Sequence, residues 1–254
     1  MILAALERPT ASKTDQAGAA VLEIRDLHVR FGQAHILQGV SLSVGRDPIA
    51  LVGRNGMGKT TLCQTVMGLN AAAGGEITFQ GGSIKGRTPN RVAKSGIALV
   101  PQGRRCFPSL TVHEHLRLVE QGRDVSWTVE RVYETFPRLA ERKTNGGTQL
   151  SGGEQQMLAI ARALLTNPKL VIMDEPSEGL APVIVDHLCE VLRGLRAEGM
   201  GLLLVEQKLG VATAVCETVA IMVNGHVATV MDAATLLADE AAQNRWLGVA
   251  QGGH

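Results

Sequence analysis

The chain has 254 residues, enough for one large domain with a sizeable buried core. Its 25 Lys and Arg against 24 Asp and Glu leave a formal charge of +1, without the basic surplus that nucleic-acid and anionic-membrane binders carry. Hydrophobic residues at 45% exclude a disordered chain, while aromatics at 3% leave the core to aliphatic side chains and argue against base-stacking platforms.

No apolar run approaches the roughly 20 residues of a membrane span. Met1 to Leu6 is apolar but short, lacks a basic lead-in and runs into Glu7 and Arg8, which makes a poor signal peptide. These features predict a cytoplasmic chain that meets a membrane only through a partner. Cys63, Cys106, Cys189 and Cys216 are far apart and form no Cys-x-x-Cys or Cys/His cluster, so free thiols are expected rather than zinc ligands or disulfides.

Residues 1–20 show no periodicity and are expected to form a mobile extension, followed by one domain over 21–254. Val21 to Phe31 alternates as a half-buried strand does, and Ile36 to Val44 reads as a second strand, so the domain opens antiparallel. Four short apolar runs follow: Pro48 to Val52, Ile97 to Val100, Leu170 to Met173 and Leu202 to Val205. Continuous apolar strands separated by helical patterns mark a parallel sheet covered on both faces, hence an α/β fold. Between Gly103 and Thr166 the strand signal disappears, which predicts a helical insertion. There Thr111-Val112-His113-Glu114 fits a capping box opening a helix to about Gln121, and Trp127 to Phe136 is a second helix stopped by Pro137. Val219 to Val223, Asn224-Gly225 and His226 to Met231 read as a hairpin, and Ala233 to Leu247 as a helical tail.

Gly53-Arg54-Asn55-Gly56-Met57-Gly58-Lys59-Thr60 matches the phosphate-binding loop GxxxxGK[ST] at every fixed position, with a strand before it and a helix, Thr60 to Met67, after it. The glycines let successive backbone N–H groups curl toward phosphates, and the helix adds its positive end. Lys59 is expected to neutralise the terminal phosphates and the Thr60 hydroxyl to ligate Mg²⁺. The strand Leu170 to Met173 ends in Asp174 and Glu175. At the carboxyl end of a parallel strand both face the nucleotide crevice, Asp174 for the Mg²⁺ shell and Glu175 to polarise an attacking water.

Leu150-Ser151-Gly152-Gly153-Glu154-Gln155-Gln156 opens another helix, whose apolar stripe runs through Met157, Leu158, Ala161, Leu164 and Leu165. Here the chain resembles the signature motif of ABC-type ATPases, and residues 21–247 can be laid on that family. The resemblance implies a P-loop NTPase fold with a mostly parallel core sheet, an antiparallel β subdomain and a helical subdomain at about 103–166. It implies ATP and Mg²⁺ held by Gly53, Arg54, Asn55, Gly56, Gly58, Lys59, Thr60 and Thr61, with Phe31 stacking on adenine. Gln102 would touch Mg²⁺ and water, joining Thr60 and Asp174 there. Ser151, Gly152 and Gly153 would meet the γ-phosphate of ATP held by a second subunit, the same chain or a paralogue, in a head-to-tail dimer.

Two positions depart from the family pattern. Ala181 stands where an Asp bridging the dimer is usual, and Gln207 where the switch histidine is usual. With the stretches from Val100 to Val112, from Glu178 to Pro182 and from Leu204 to Gln207, the chain resembles the ATPase subunits of branched-chain amino-acid importers. The ATPases of urea and short-chain amide importers look very similar, and a non-transport ABC ATPase in DNA repair or translation is a further class. That last class usually brings a long coiled coil or a second ATPase domain, neither of which is present, and the near-neutral charge argues against nucleic acid. The importer resemblance implies two permease subunits, a substrate-binding protein reached through them, and a position on the cytoplasmic face of the membrane. A groove beside Gln102, formed with Phe107, Pro108, Leu110 and Val112, is expected to receive a short permease helix.

Overall fold

The computed structural model describes residues 21–248 apart from 104, 123 and 124; the extension expected at 1–20 lies outside the described residues. β1 (Leu22–Phe31) and β2 (Ala34–Val44) form the expected antiparallel hairpin. β3 (Ile49–Val52) is wholly buried and leads through the Gly-rich loop into α1 (Lys59–Val66). β4 (Gly74–Phe79) and the two-residue β5 (Gly82–Ser83) add to the hairpin, giving a sheet of order β2-β1-β4-β5. The sequence pattern does not announce β4: it opens on two glycines, and its ladder is supplied by the free edge of β1.

α2 (Pro89–Lys94) precedes β6 (Ile97–Val100). The insertion then contributes α3 (Val112–Arg117), α4 (Val129–Thr135), α5 (Pro137–Glu141) and α6 (Gly152–Leu164). Thr111 and Glu114 form the predicted reciprocal cap on α3, but that helix ends at Arg117 and not near Gln121. Pro137 ends α4 and also opens α5, where a missing N–H costs nothing in the first turn. β7 (Leu170–Asp174), α7 (Pro182–Ala197), β8 (Gly201–Glu206), α8 (Leu209–Val215), β9 (Thr218–Val223) and β10 (His226–Asp232) complete the core. The helical tail divides into α9 (Ala233–Ala238) and α10 (Glu240–Leu247), because the Asp239 carboxylate caps the second helix by accepting the Ala242 N–H at 2.9 Å.

The larger sheet has the order β10-β9-β3-β8-β7-β6, parallel except for β10 at its edge. Alternate residues of each strand enter different cores. Val52, Val171, Met173, Leu202 and Leu204 pack with the insertion and α6–α8. Leu51, Leu170, Ile172, Leu203 and Val205 pack with α1 and the antiparallel sheet. Covering both faces in this way places the carboxyl ends of β3, β6, β7 and β8 along one rim, where ligands bind in open α/β sheets.

Candidate nucleotide site

The loop after β3 is shaped by backbone geometry. Gly58 has φ +101°, and a Cβ there would come within 2.9 Å of Leu37 Cδ2, so only glycine fits. Gly58 also caps α1 without a side-chain bond, which leaves the helix's first N–H groups for an anion. Arg54, Asn55 and Gly56 are exposed, while Thr60 and Thr61 in the first turn are half-buried. The β9–β10 turn braces the loop: Gly225 donates its N–H to the Met57 carbonyl at 3.1 Å and accepts that of Gln38 at 2.7 Å. The hairpin was legible in Asn224-Gly225; its seat against the phosphate loop was not.

Lys59 is only 4% exposed. Its ammonium donates to the carbonyls of Gly53 at 2.7 Å and Arg54 at 3.1 Å and lies 3.1 Å from Glu175 Oε1. Glu175 follows β7 with φ +51°, an unusual backbone for a non-glycine residue, and its N–H is held by the Val205 carbonyl at 2.9 Å. Asp174, the last residue of β7, is buried, and its Oδ1 has no hydrogen-bond partner. Burial pushes its carboxyl above the ordinary range, Glu175 adds to this, and the bond from Thr60 and the charge of Lys59 oppose it. A dry carboxylate oxygen beside a threonine hydroxyl and a lysine is a donor set that suits a hard dication, so these residues fit Mg²⁺.

Lys59, Thr60, Asp174 and Glu175 are therefore brought together by direct contacts. Gln102, beyond β6, donates Nε2 to Glu178 Oε2 at 2.7 Å and so ties its loop to the turn after β7. Gln207 is exposed just past β8. Phe31 ends β1 and is half exposed. Ser151 caps α6 by accepting the Glu154 N–H at 3.3 Å, and Gly153 lies close against Ile184 of α7. No hydrogen bond joins Phe31, Gln207 or Ser151–Gly153 to the Lys59 cluster among the described residues.

Sequence reasoning gave no role to Glu206. It is buried at the end of β8 and accepts the Ser177 N–H at 3.1 Å, fastening the Asp174–Ser177 turn to the neighbouring strand. Its signal was a carboxylate closing a wholly apolar strand.

A groove of about 530 Å³ opens beside this cluster, lined among others by Gly103, Cys106, Pro108, Gly147, Glu175 and Glu178. Phe107, between the lining residues Cys106 and Pro108 in the chain, is 47% exposed, stacks on His115 and has the Arg162 guanidinium over its ring at 5.4 Å, whereas Val112 is buried in the core and takes no part.

A phosphate loop, a buried lysine and two adjacent carboxylates on the rim of a parallel sheet define a P-loop nucleotide-binding protein. The ABC transporter family matches residues 37–178. The chain is 39% identical over 222 residues to the high-affinity branched-chain amino acid transport ATP-binding protein BraG of Pseudomonas aeruginosa, across 86% of this chain and 95% of that protein. It is 34% identical to the probable branched-chain amino acid transport ATP-binding protein LivF of Archaeoglobus fulgidus (88% and 97%), and 31% identical to the lipopolysaccharide export system ATP-binding protein LptB of Escherichia coli (90% and 98%). A solved ABC-transporter ATP-binding cassette in its ADP conformation superposes with a TM-score of 0.77 at 25% identity, covering 92% of this chain and all of that one. The chain belongs to the ABC transporter family and is an ATP hydrolase of that class. Among the described residues no helix is long and apolar enough to cross a membrane.

Proposed function

We propose that this chain is the ATP-hydrolysing subunit of an importer of branched-chain or other hydrophobic amino acids. The observation that carries the catalytic half of this reading is the contact between Lys59 and Glu175 across the crevice, with Asp174 and Thr60 beside it. In it the loop from Gly53 to Thr61 wraps the phosphates with its N–H groups. Lys59 exchanges its carbonyl and carboxylate partners for phosphate oxygens, and that exchange frees Glu175 to orient water and accept its proton. Thr60 and Asp174, joined by Gln102 from its loop, would hold Mg²⁺, which would supply charge neutralisation on the phosphates. Phe31 offers an exposed ring to adenine. Gln207 donates through its amide to the γ-phosphate without exchanging a proton.

Ser151, Gly152 and Gly153 serve the ATP of a second ATPase subunit, another copy or a close relative. The groove beside Gln102 and Phe107 takes a permease helix, so hydrolysis is passed to two membrane subunits and through them to a substrate-binding protein. The chain then sits on the cytoplasmic face of the membrane. The amino-acid half is supported by the higher identity to the two branched-chain transport proteins than to the export protein. Uptake of radiolabelled leucine by the native host tests it. Replacing Glu175 with Gln is expected to abolish energised leucine uptake, and undiminished uptake of leucine, isoleucine and valine in that strain overturns the assignment.

A further inference from the structure

Upstream of the phosphate loop, the β1–β2 hairpin holds two histidines against each other. His28 Nδ1 lies 3.1 Å from His35 Nε2, and His28 Nε2 lies 3.1 Å from Asp26 Oδ1. The β1–β2 ladder shifts register between Leu27 and His28 and again between Val29 and Arg30, and bulges of this kind re-aim side chains. The His28 ring is fixed in a narrow slot. A Cβ on Gly74 would lie 3.4 Å from its Cδ2, and one on Gly39 would lie 3.6 Å from its Cε1 and 2.9 Å from Asp26 Oδ1. The glycines thus let the ring sit at van der Waals distance from the backbone on both sides, and a side chain at Gly39 would press on the Asp26 carboxylate.

Asp26 settles the His28 tautomer. A carboxylate accepts, so Nε2 carries the hydrogen and Nδ1 presents its lone pair toward His35. A histidine whose outer N–H is held by a carboxylate is the arrangement that orients a metal ligand and raises its basicity. His35 meets that lone pair with its Nε2–H, and moving this hydrogen to the ring's other nitrogen frees Nε2 as a second ligand with no net loss of a proton.

We propose that His28 and His35 form a binding site for a divalent transition ion of the zinc, copper or nickel type, with Asp26 orienting His28 from behind. With metal–nitrogen bonds of about 2.0–2.1 Å, nitrogens 3.1 Å apart subtend about 100° at the ion, between octahedral and tetrahedral values. Imidazole ligands suit these ions and do not suit Mg²⁺ or Ca²⁺. Among the described residues no cluster of three ligating side chains exists, so water completes the shell. The ion would tie β1 to β2 three residues before Phe31.

Calorimetric titration of the full nucleotide-free chain with Zn²⁺ tests this. Wild type is expected to bind one ion that both His28→Gln and His35→Gln lose, with affinity at least about tenfold weaker. Asp26→Asn, which keeps both ligands, should weaken binding about ten- to a hundredfold. His226→Gln, on a different hairpin, should bind as wild type does. Circular dichroism and ATP binding of each variant report that the fold is kept. Wild-type Zn²⁺ affinity in both His28→Gln and His35→Gln overturns the proposal. So does a wild-type chain that takes up no Zn²⁺, since the pair is then a hydrogen bond between two rings only.

Discussion

The loop after β3 and the start of α6 are both Gly-rich turns that open a helix, yet they differ in what they face. Around the first, a buried lysine, two carboxylates and a threonine hydroxyl converge on one crevice. At the second, Ser151 is exposed and engages its own cap, with no acidic or basic side chain of the Lys59 cluster bonded to it. One end gathers its charged groups within the chain; the other, on the function proposed above, is half of a site. That asymmetry suits an enzyme that binds nucleotide alone and hydrolyses it only against a second subunit.

The sharpest way to break the comparison is at Glu175. Glu175→Gln preserves shape and removes the base, so hydrolysis should fall about a hundred- to ten-thousandfold while ATP binding persists and an ATP-bound dimer accumulates. Single-turnover hydrolysis and light scattering read both effects. Lys59→Ala removes the phosphate counter-charge and should weaken ATP binding about ten- to a hundredfold, measured with a fluorescent nucleotide. Unchanged affinity would remove Lys59 from the phosphates. Gln207→Ala should slow hydrolysis by about ten- to a hundredfold through loss of a bond to charge, with Gln207→His near wild type because a donor remains. Steady-state ATPase of the assembled transporter distinguishes them, and an alanine variant equal to wild type would remove Gln207 from the γ-phosphate.

These expectations rest on a site whose chemistry was largely legible and whose coupling was not. GxxxxGK[ST], the apolar strand ending in Asp174-Glu175 and the helix opening at Leu150 to Gln156 are local patterns, and each occupies the element its pattern implied. The contact of Lys59 with Glu175, the bond of Gln102 to Glu178 and the fastening of Ser177 by Glu206 join residues far apart in the chain, and no periodicity encodes them. Among the helices, α7 carries Leu188, Val191, Leu192 and Leu195 at helical spacing and could have been read. β4 could not, since its strand state comes from β1 and not from its own Gly-Gly opening.

A smaller effect follows from the cost of the site to the fold. Asp174 is buried with an unpartnered oxygen and its carboxyl is raised above the ordinary range. The folded chain thus holds that proton more tightly than the unfolded chain does. The group destabilises the fold at pH values above its folded pKa, and the penalty is relieved as pH falls through that value. Asp174→Asn should therefore raise Tm by about 2–4 °C per kcal/mol relieved, while removing Mg²⁺-dependent nucleotide affinity. Calorimetry at neutral pH checks the sign, and a lowered Tm contradicts the reading of Asp174 as a strained, functional carboxylate.

The asymmetry itself is tested most directly by Ser151→Arg, in two assays of one variant. Losing the α6 cap costs about 1 kcal/mol, too little to unfold the chain. If Ser151 serves the nucleotide of the neighbouring subunit, the isolated variant should bind ATP with wild-type affinity, while the assembled transporter containing it loses hydrolysis. If ATP binding by the isolated chain falls together with hydrolysis, Ser151 belongs to its own chain's crevice and the split-site account is wrong.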